Sequence, residues 1–320
     1  MSGHPKLLDP KQDPAQGPKQ DLAQDPKPGP AQRPKVIYVM GAGRSGSTIL
    51  GVTLGNCEQV FYAGELDAWL RRSGVPTKAD GERAQFWTTV REETGGEDLF
   101  GDSAWRALEH SQTLFRFYRW PARRKLRKRY LEVSEGLYRG IARTAGATHI
   151  VDTSHYPLRV RELRRLAGID IYLVYLVRNP QSVVASFNRR DTPKSRKSPL
   201  ATNAYLWLTH LLSMAVFLSH RSDQKFVLYH EDFVANPDQV LDRILGALDI
   251  QSAAPDLKSL ERGIPFQGNR LLKSKVIAFR GGDGTPAQRS RFTSLLHSPW
   301  VAALSHLRPR VIGSLSDEHA

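Results

Sequence analysis

A short apolar run that ends in a cluster of glycines is the feature that most limits what this chain can fold into. Residues 36–40 read VIYVM, and Gly41, Gly43 and Gly46 follow directly. An unbroken apolar run of this length predicts a strand that is buried on both faces, as in parallel sheets. Residues 48–54 then show a helical pattern, so the backbone N–H groups between strand and helix point at one place. The positive end of the helix dipole favours an anion there.

The rest of the chain alternates between strand and helix signals. Further strands are predicted over residues 60–64, 149–151, 171–177 and 226–229. Helices are predicted over residues 48–54, 104–145, 157–166, 180–188, 200–220 and 237–248. This alternation predicts one α/β domain with a central parallel sheet flanked by helices. The most apolar stretch, residues 203–219, includes Asn203, Thr209 and His210, which favours a buried helix over a membrane span.

Residues 1–34 differ from the rest of the chain in composition. They contain eight of the 20 prolines, most of them four residues apart, and no apolar run. Such a segment cannot build a core, so we expect a disordered tail before a domain over residues 35–320. The segment also lacks the apolar centre of a signal peptide, and Cys57 has no second cysteine to pair with. We therefore expect a cytoplasmic protein.

The charge balance predicts an anionic partner. The formal net charge is +14, from 46 basic and 32 acidic residues. Residues 1–34 contribute only +1, from five basic and four acidic residues, so +13 belongs to the predicted domain. A basic run from Arg116 to Arg129 contains no acid and indicates either a solvated helix face or a peripheral contact with an anionic surface.

Two known phosphate-binding patterns fit the glycine loop in part. Its three glycines satisfy G-x-G-x-x-G of dinucleotide sites, in which Glu65 would be the acid that holds a ribose. The outer two also satisfy G-x-x-x-x-G-K-[ST], but Ser47 stands where the lysine belongs. An ordinary kinase or nucleotide triphosphatase needs that lysine on its terminal phosphates, so this departure disfavours one. The positive charge lies instead at Arg44, inside the loop.

A second candidate anion site follows the apolar run of residues 171–177. Arg178 comes directly after that run, and Ser186 lies eight residues later in the next predicted helix. Ligands of open α/β sheets bind at the carboxyl ends of strands, where a guanidinium and a hydroxyl can hold one phosphate. The glycine loop and this Arg-to-Ser element resemble the 5′- and 3′-phosphate-binding elements of the sulfotransferases that use 3′-phosphoadenylyl sulfate (PAPS).

The resemblance runs in order from about residue 35 to about residue 280 and points to the bacterial and carbohydrate-type branch of that family. Residues 228–233 (LYHEDF) are similar to its Tyr-Glu-Asp turn, with His230 as an extra residue. Residues 152–154 (DTS) and 268–270 (GNR) are weaker similarities. The resemblance implies a P-loop-like fold and a helical acceptor-side region over residues 66–135.

The resemblance also implies an activity and a set of binding residues. The chain would move a sulfonate group from PAPS to a hydroxyl or amine by in-line displacement, with the 3′,5′-bisphosphate PAP as the product. The acceptor would be a carbohydrate, a glycolipid or another small metabolite, and neither a metal nor nucleic acid is expected. The residues for the 5′-phosphosulfate are Arg44, Ser45, Gly46, Ser47 and Thr48. The residues for the 3′-phosphate are Arg178 and Ser186, with Asn269 and Arg270 as further candidates.

Two residues compete for the role of general base. Glu65 is placed like the glutamate base of the carbohydrate-type enzymes. His155 directly follows the DTS stretch, where relatives commonly have lysine, and an imidazole is a natural proton acceptor near neutral pH. Two other function classes also stay open: a P-loop-like nucleotide-binding enzyme of the kinase or triphosphatase type, and a non-catalytic basic adaptor that binds polyanions.

Overall fold

The computed structural model describes residues 33–76, 81–95, 120–188, 198–267, 270–279, 290–306 and 311–312. Its strands are β1 (Lys35–Gly41), β2 (Val60–Gly64), β3 (His149–His155), β4 (Asp170–Val177), β5 (Lys225–Tyr229), β6 (Leu260–Glu261), β7 (Val276–Ile277) and β8 (Val311–Ile312). Its helices are α1 (Ser47–Leu54), α2 (Leu66–Arg71), α3 (Gly81–Thr94), α4 (Trp120–Ala145), α5 (Pro157–Leu163), α6 (Pro180–Asn188), α7 (Pro199–Leu218), α8 (His230–Ala235), α9 (Pro237–Leu248) and α10 (Arg291–Ser305). The predictions for residues 1–32 and 104–119 lie outside the described residues.

The main sheet has six strands in the order β2-β3-β1-β4-β5-β8. Every neighbouring pair in it is parallel, whereas β6 and β7 form a separate antiparallel pair. The predicted α/β fold with a central parallel sheet flanked by helices is therefore confirmed. All five predicted strands are present, within one residue at their starts.

The central strand β1 divides its side chains between two apolar cores. Val36, Tyr38 and Met40 belong to the first core, which also holds residues of α2, α3, α4, α5 and α7. Ile37 and Val39 belong to the second core, which α1 and α9 complete. Because helices cover both faces of the sheet, β1 is apolar at every position from Val36 to Met40, whereas a strand with one solvated face alternates apolar and polar residues.

The carboxyl ends of neighbouring strands reach the same edge of the sheet. Met40 pairs with His155 on β3, and Gly41 pairs with Leu176 on β4. Gly64, at the end of β2, pairs with Asp152. The residues that follow these four strands therefore converge on the glycine loop, as expected for the ligand edge of an open parallel sheet.

Three elements differ from their predicted form, and one of them, α5, ends at Leu163 instead of residue 166. β3 continues four residues beyond the predicted apolar run. Asp152, Thr153 and Ser154 are polar but buried with polar partners, so the apolar pattern does not show this part of the strand. The predicted helix over 200–220 is present as α7, but only one side of it is buried. α7 has the length and apolar composition to cross a membrane, and 44% of its most apolar 18-residue stretch is buried inside the protein.

Candidate active site

The glycine loop turns the chain sharply between β1 and α1. Arg44 and Gly46 both adopt left-handed backbone angles, with φ of 69° and 96°. Gly46 is the N-cap of α1, and a Cβ at this position would overlap the His230 ring, so only glycine fits. Ser45, Ser47 and Thr48 follow inside the turn and are buried.

The two predicted anion-binding elements are in direct contact. The Arg178 guanidinium donates a hydrogen bond from Nη1 to the backbone carbonyl of Arg44, at 2.9 Å. The Arg44 guanidinium in turn lies 5.8 Å from the centre of the Phe187 ring on α6. The loop after β1 and the helix after β4 thus form a single site, although 134 residues separate the two arginines in the chain.

Helix α7 holds the same loop from another side. The Gly43 backbone N–H donates to the Tyr205 hydroxyl at 2.9 Å. Burial raises the pKa of Tyr205, so the hydroxyl stays neutral. The sequence patterns did not indicate Tyr205, because it belongs to a helix whose other residues show only an apolar pattern.

His230, which the sequence showed only as an extra residue, lies beside the glycine loop. Its ring lies against Gly46, and its Nδ1 is buried without a hydrogen-bond partner among the described residues. Burial lowers the pKa of His230 to about 4, and the positive charge of Arg178 adds to this effect. The next residue, Glu231, accepts a hydrogen bond from the Asn179 backbone N–H at 2.9 Å. The start of α8 is therefore fixed to the turn that carries Arg178.

Both candidate bases lie at this edge of the sheet. His155 ends β3 with a left-handed φ of 70°, and its Nε2 is 3.3 Å from the Ser47 hydroxyl oxygen. Burial lowers the pKa of His155, and the nearby charges of Glu65 and Asp152 oppose that shift. Glu65 follows β2, and its backbone N–H donates to the Gln267 carbonyl at 2.9 Å. Because β2 and β3 are neighbouring strands, with Gly64 paired to Asp152, the two candidates stand at adjacent strand ends.

A buried ionic cluster lies behind the candidate bases. Asp152 accepts hydrogen bonds from the Tyr138 hydroxyl at 2.6 Å and from Arg159 at 3.2 Å. Arg159 also donates to the Tyr130 and Tyr138 hydroxyls, each at 3.0 Å. The side chains of Asp152 and Arg159 are 0% and 1% exposed, so this ion pair is wholly removed from water.

The Asp152 carboxylate also holds two backbone segments, one before His155 and one after Glu65. Its Oδ1 accepts from the Ser154 backbone N–H at 2.9 Å and from the Ser154 hydroxyl. The Ser154 oxygen then accepts from the Asp67 backbone N–H at 3.1 Å, in the first turn of α2. Asp152 thereby joins the residue before His155 to the helix that begins after Glu65.

Comparison with known proteins identifies the family. The protein-family model described as "Sulfotransferase family" matches residues 34–254 of the sequence. This chain belongs to the sulfotransferase family. Among curated proteins, no significant match was found.

Two solved structures share the fold of this sulfotransferase. The sulfotransferase domain from the curacin biosynthetic pathway is 18% identical, with a TM-score of 0.50 over 85% of this chain and 99% of that one. The sulfotransferase domain from the Synechococcus PCC 7002 olefin synthase is 19% identical, with a TM-score of 0.50 over 87% of this chain and 98% of that one.

The predicted roles of the site residues of this sulfotransferase stay predictions, and the structure says least about three of those residues. Ser186 lies on α6, two turns after Arg178, and is half-buried. Asn269 lies outside the described residues, and Arg270 begins a 3₁₀ helix without a described side chain. The chain leading to them is close to the site, because Gln267 forms a parallel bridge with Gly64.

The basic run is only partly described. Arg127 forms an ion pair with Glu162 at 2.7 Å, which joins α4 to α5, and Lys128 lies 3.9 Å from Glu132. Arg124 and Lys125 are exposed. Arg116 and Arg119 lie outside the described residues. At Arg127, therefore, the run contributes to packing within this sulfotransferase.

The described residues contain no group of three or more His, Cys, Asp and Glu side chains that could hold a metal ion. The expectation that the reaction needs no metal remains a prediction.

Proposed function

We propose that this sulfotransferase moves a sulfonate group from PAPS to a hydroxyl or amine of an acceptor, which is a carbohydrate, a glycolipid or another small metabolite. The contact between Arg178 and the Arg44 carbonyl carries the proposal. PAPS has two anionic groups, one at each end of a ribose. A ligand of that kind needs two anion-binding elements side by side, and these two elements touch.

The residues of the site fit such a ligand. The loop presents buried backbone and hydroxyl donors from Ser45 to Thr48 at the start of α1, where the helix dipole favours an anion. The Nδ1 of His230, which has no hydrogen-bond partner among the described residues, adds a buried polar atom beside Gly46. A buried polar atom without a partner is costly in the folded protein, which is a reason to expect a ligand atom there.

We assign the roles by position. Arg44 and the donors from Ser45 to Thr48 hold the 5′-phosphosulfate and stabilise negative charge on the leaving phosphate. Each charge-assisted hydrogen bond of this kind contributes about 1.5–3 kcal/mol. Arg178 and Ser186 hold the 3′-phosphate, with Asn269 and Arg270 as further contacts. PAPS supplies the sulfonate, and the protein supplies its orientation and the charge around it.

The acceptor must also lose a proton, and either Glu65 or His155 accepts it. Glu65 directly follows β2, and its backbone N–H is held by the Gln267 carbonyl. His155 is neutral near pH 7 because burial lowers its pKa, so it too can take a proton. The Ser47 hydroxyl contacts His155 and thereby links the phosphate loop to this candidate base.

Binding of PAP to the full chain tests the proposal without knowledge of the acceptor. At a concentration of 100 times its Kd, PAP should stabilise the fold by about 2.7 kcal/mol, which a thermal shift detects. Mg-ATP and NAD should have little effect. A thermal shift with Mg-ATP or NAD and none with PAP would contradict the proposal.

Arg178→Ala tests the assignment of the second element. The variant should lose roughly 10- to 100-fold in PAP affinity, because a charge-assisted contact is removed. Its loss for adenosine 5′-phosphate, which lacks the 3′-phosphate, should be much smaller. Arg221→Ala is a matched control, since Arg221 is exposed and its ion pair is with the nearby Asp223. Equal losses for both nucleotides, measured by calorimetry, would remove Arg178 from the 3′-phosphate site.

A further inference from the structure

Helices α7 and α10 expose more apolar surface than the rest of the described chain. Six of the nine large apolar side chains that are exposed among the described residues lie on these two helices. They are Leu200, Leu211 and Leu218 on α7, and Phe292, Leu295 and Val301 on α10. Exposed apolar groups that cluster in this way mark an interaction surface, whereas scattered ones do not.

The exposed residues of α7 form one stripe. Leu200, Ala204, Leu211, Ala215 and Leu218 are all exposed, and their spacing places them on one side of an α-helix. The opposite side, which includes Leu206 and Phe217, is buried in the protein. This α7 stripe runs the whole length of the helix.

The α7 stripe continues onto α10. Trp207 and Trp300 pack edge to face with ring centres 4.9 Å apart, and Trp207 donates to the Leu296 carbonyl at 3.0 Å. Trp207 is next to Leu211 and Ala204 on α7, and Leu296 is next to Phe292 and Pro299 on α10. The two half-buried tryptophans therefore lie between the α7 stripe and the exposed side of α10 that carries Phe292 and Pro299. We call the surface formed by the α7 stripe, the two tryptophans and the exposed Phe292, Leu295 and Pro299 the α7–α10 face; Val301 lies on the other flank of α10.

The chemistry of the α7–α10 face indicates what covers it. α7 has no charged residue in 20 positions, and the only charged residue of α10 is Arg291, which is exposed. In the sequence just before α7, residues 189–197 contain five basic residues and one acid. An acid-free apolar face with tryptophan, leucine and phenylalanine, next to basic sequence, is complementary to a bilayer with anionic headgroups.

A second copy of this chain is a poorer match for the face. The net charge of +14 makes two copies repel each other and attracts each of them to a negatively charged surface. We propose that the α7–α10 face binds to the surface of a lipid bilayer that contains anionic lipids. Because Tyr205 of α7 contacts the glycine loop, this would bring the candidate active site close to the lipid surface.

Cosedimentation of the full chain with vesicles tests this proposal without PAPS, so the result does not depend on the proposed function. The vesicles are phosphatidylcholine alone, or phosphatidylcholine with about one third phosphatidylserine. The chain should bind the anionic vesicles and bind the neutral ones much more weakly. Leu211→Glu and Leu295→Glu should each lower the partition coefficient at least about tenfold, because each removes apolar contact and adds repulsion.

Val301→Glu is the matched control, since Val301 is 57% exposed on α10 but outside the α7–α10 face. It adds the same charge and should change binding by less than about twofold. Thermal melting checks that each variant is folded, and a glutamate variant that is not is replaced by glutamine at the same position (Leu211→Gln, Leu295→Gln or Val301→Gln).

Several results would overturn the proposal. Absence of binding to either kind of vesicle would refute it, and equal binding to neutral and anionic vesicles would refute the charge requirement. Binding that is lost in salt but unchanged in Leu211→Glu and Leu295→Glu would assign the contact to another basic surface. A dimer in sedimentation equilibrium that Leu211→Glu dissociates would show that a second copy covers the face.

Discussion

The buried ion pair between Arg159 and Asp152 gives a prediction whose size follows from the structure. Arg159→Met keeps most of the side-chain volume but leaves the Asp152 carboxylate without its cation at a site that is 0% exposed. Tyr130 also loses its hydrogen bond from Arg159. Removal of one partner from a buried pair costs about 3–5 kcal/mol, because the other charge stays buried and uncompensated.

Thermal unfolding measures this cost. For large domains, each kcal/mol lowers Tm by about 2 °C, so Arg159→Met should melt roughly 6–10 °C below the wild type. Arg221→Met is the control, because the Arg221–Asp223 pair has side chains that are 68% and 62% exposed. Water already solvates both of those charges, so this variant should show no measurable shift.

A double variant separates charge from shape. Asp152→Asn combined with Arg159→Met removes both charges and should recover more than half of the lost stability. If Arg159→Met melts within about 2 °C of the wild type, the cost of an uncompensated buried charge does not apply here. The cluster would then owe its stability to the tyrosine hydroxyls and to Ser154.

Two further predictions concern other titratable groups. Glu65→Gln should lower sulfonate transfer by about 10²–10⁴-fold and leave PAP affinity within about twofold, because it removes a proton acceptor and no phosphate contact; retained transfer, measured with labelled PAPS, would assign the base to His155. Burial lowers the pKa of His210 to about 4, with a smaller effect of His297. The unfolded state therefore binds protons first as the pH falls, and stability should decline from about pH 6.5 towards pH 4. His210→Gln cannot titrate and should make that decline in Tm less steep, while the other buried histidines, such as His230, still contribute; an unchanged slope would show that His210 does not contribute to it.

The sequence was a good guide to the sheet and to the elements that end at its ligand edge. Burial on both faces makes parallel strands apolar along their whole length, so β1, β4 and β5 could be recognised from composition alone. Arg178 was identified because it directly follows such a strand, and Arg44 because it lies in the glycine loop after one, where ligands of these sheets bind. The structure then adds the contact between them, which depends on the pairing of β1 with β4 and not on any local pattern.

Residues that act through long-range packing could not be found in this way. His230 belongs to the site because Gly46 lacks a Cβ and leaves room for its ring, a relation between positions 184 residues apart. The ionic cluster also depends on contacts between separate elements, since Asp152, Arg159 and Tyr138 come from β3, α5 and α4. In the sequence, Asp152 only shortened the predicted strand, because a buried carboxylate looks like a strand end until its partners are known.

Hydrogen bonds between neighbouring loops explain how a site built from four strand ends can keep one geometry. Loops at the end of a sheet are ordinarily its most mobile parts, whereas in-line transfer needs donors and base within a few tenths of an ångström of their working positions. Here Arg178 is bonded to the loop after β1, Glu231 to the turn after β4, and Asp152, through Ser154, to the helix after β2. Each loop is thus fixed by a side chain from a different strand end. Loss of one such contact should therefore disturb the neighbouring loop as well, so the effects of Arg178→Ala and Arg159→Met on PAP affinity should not be additive.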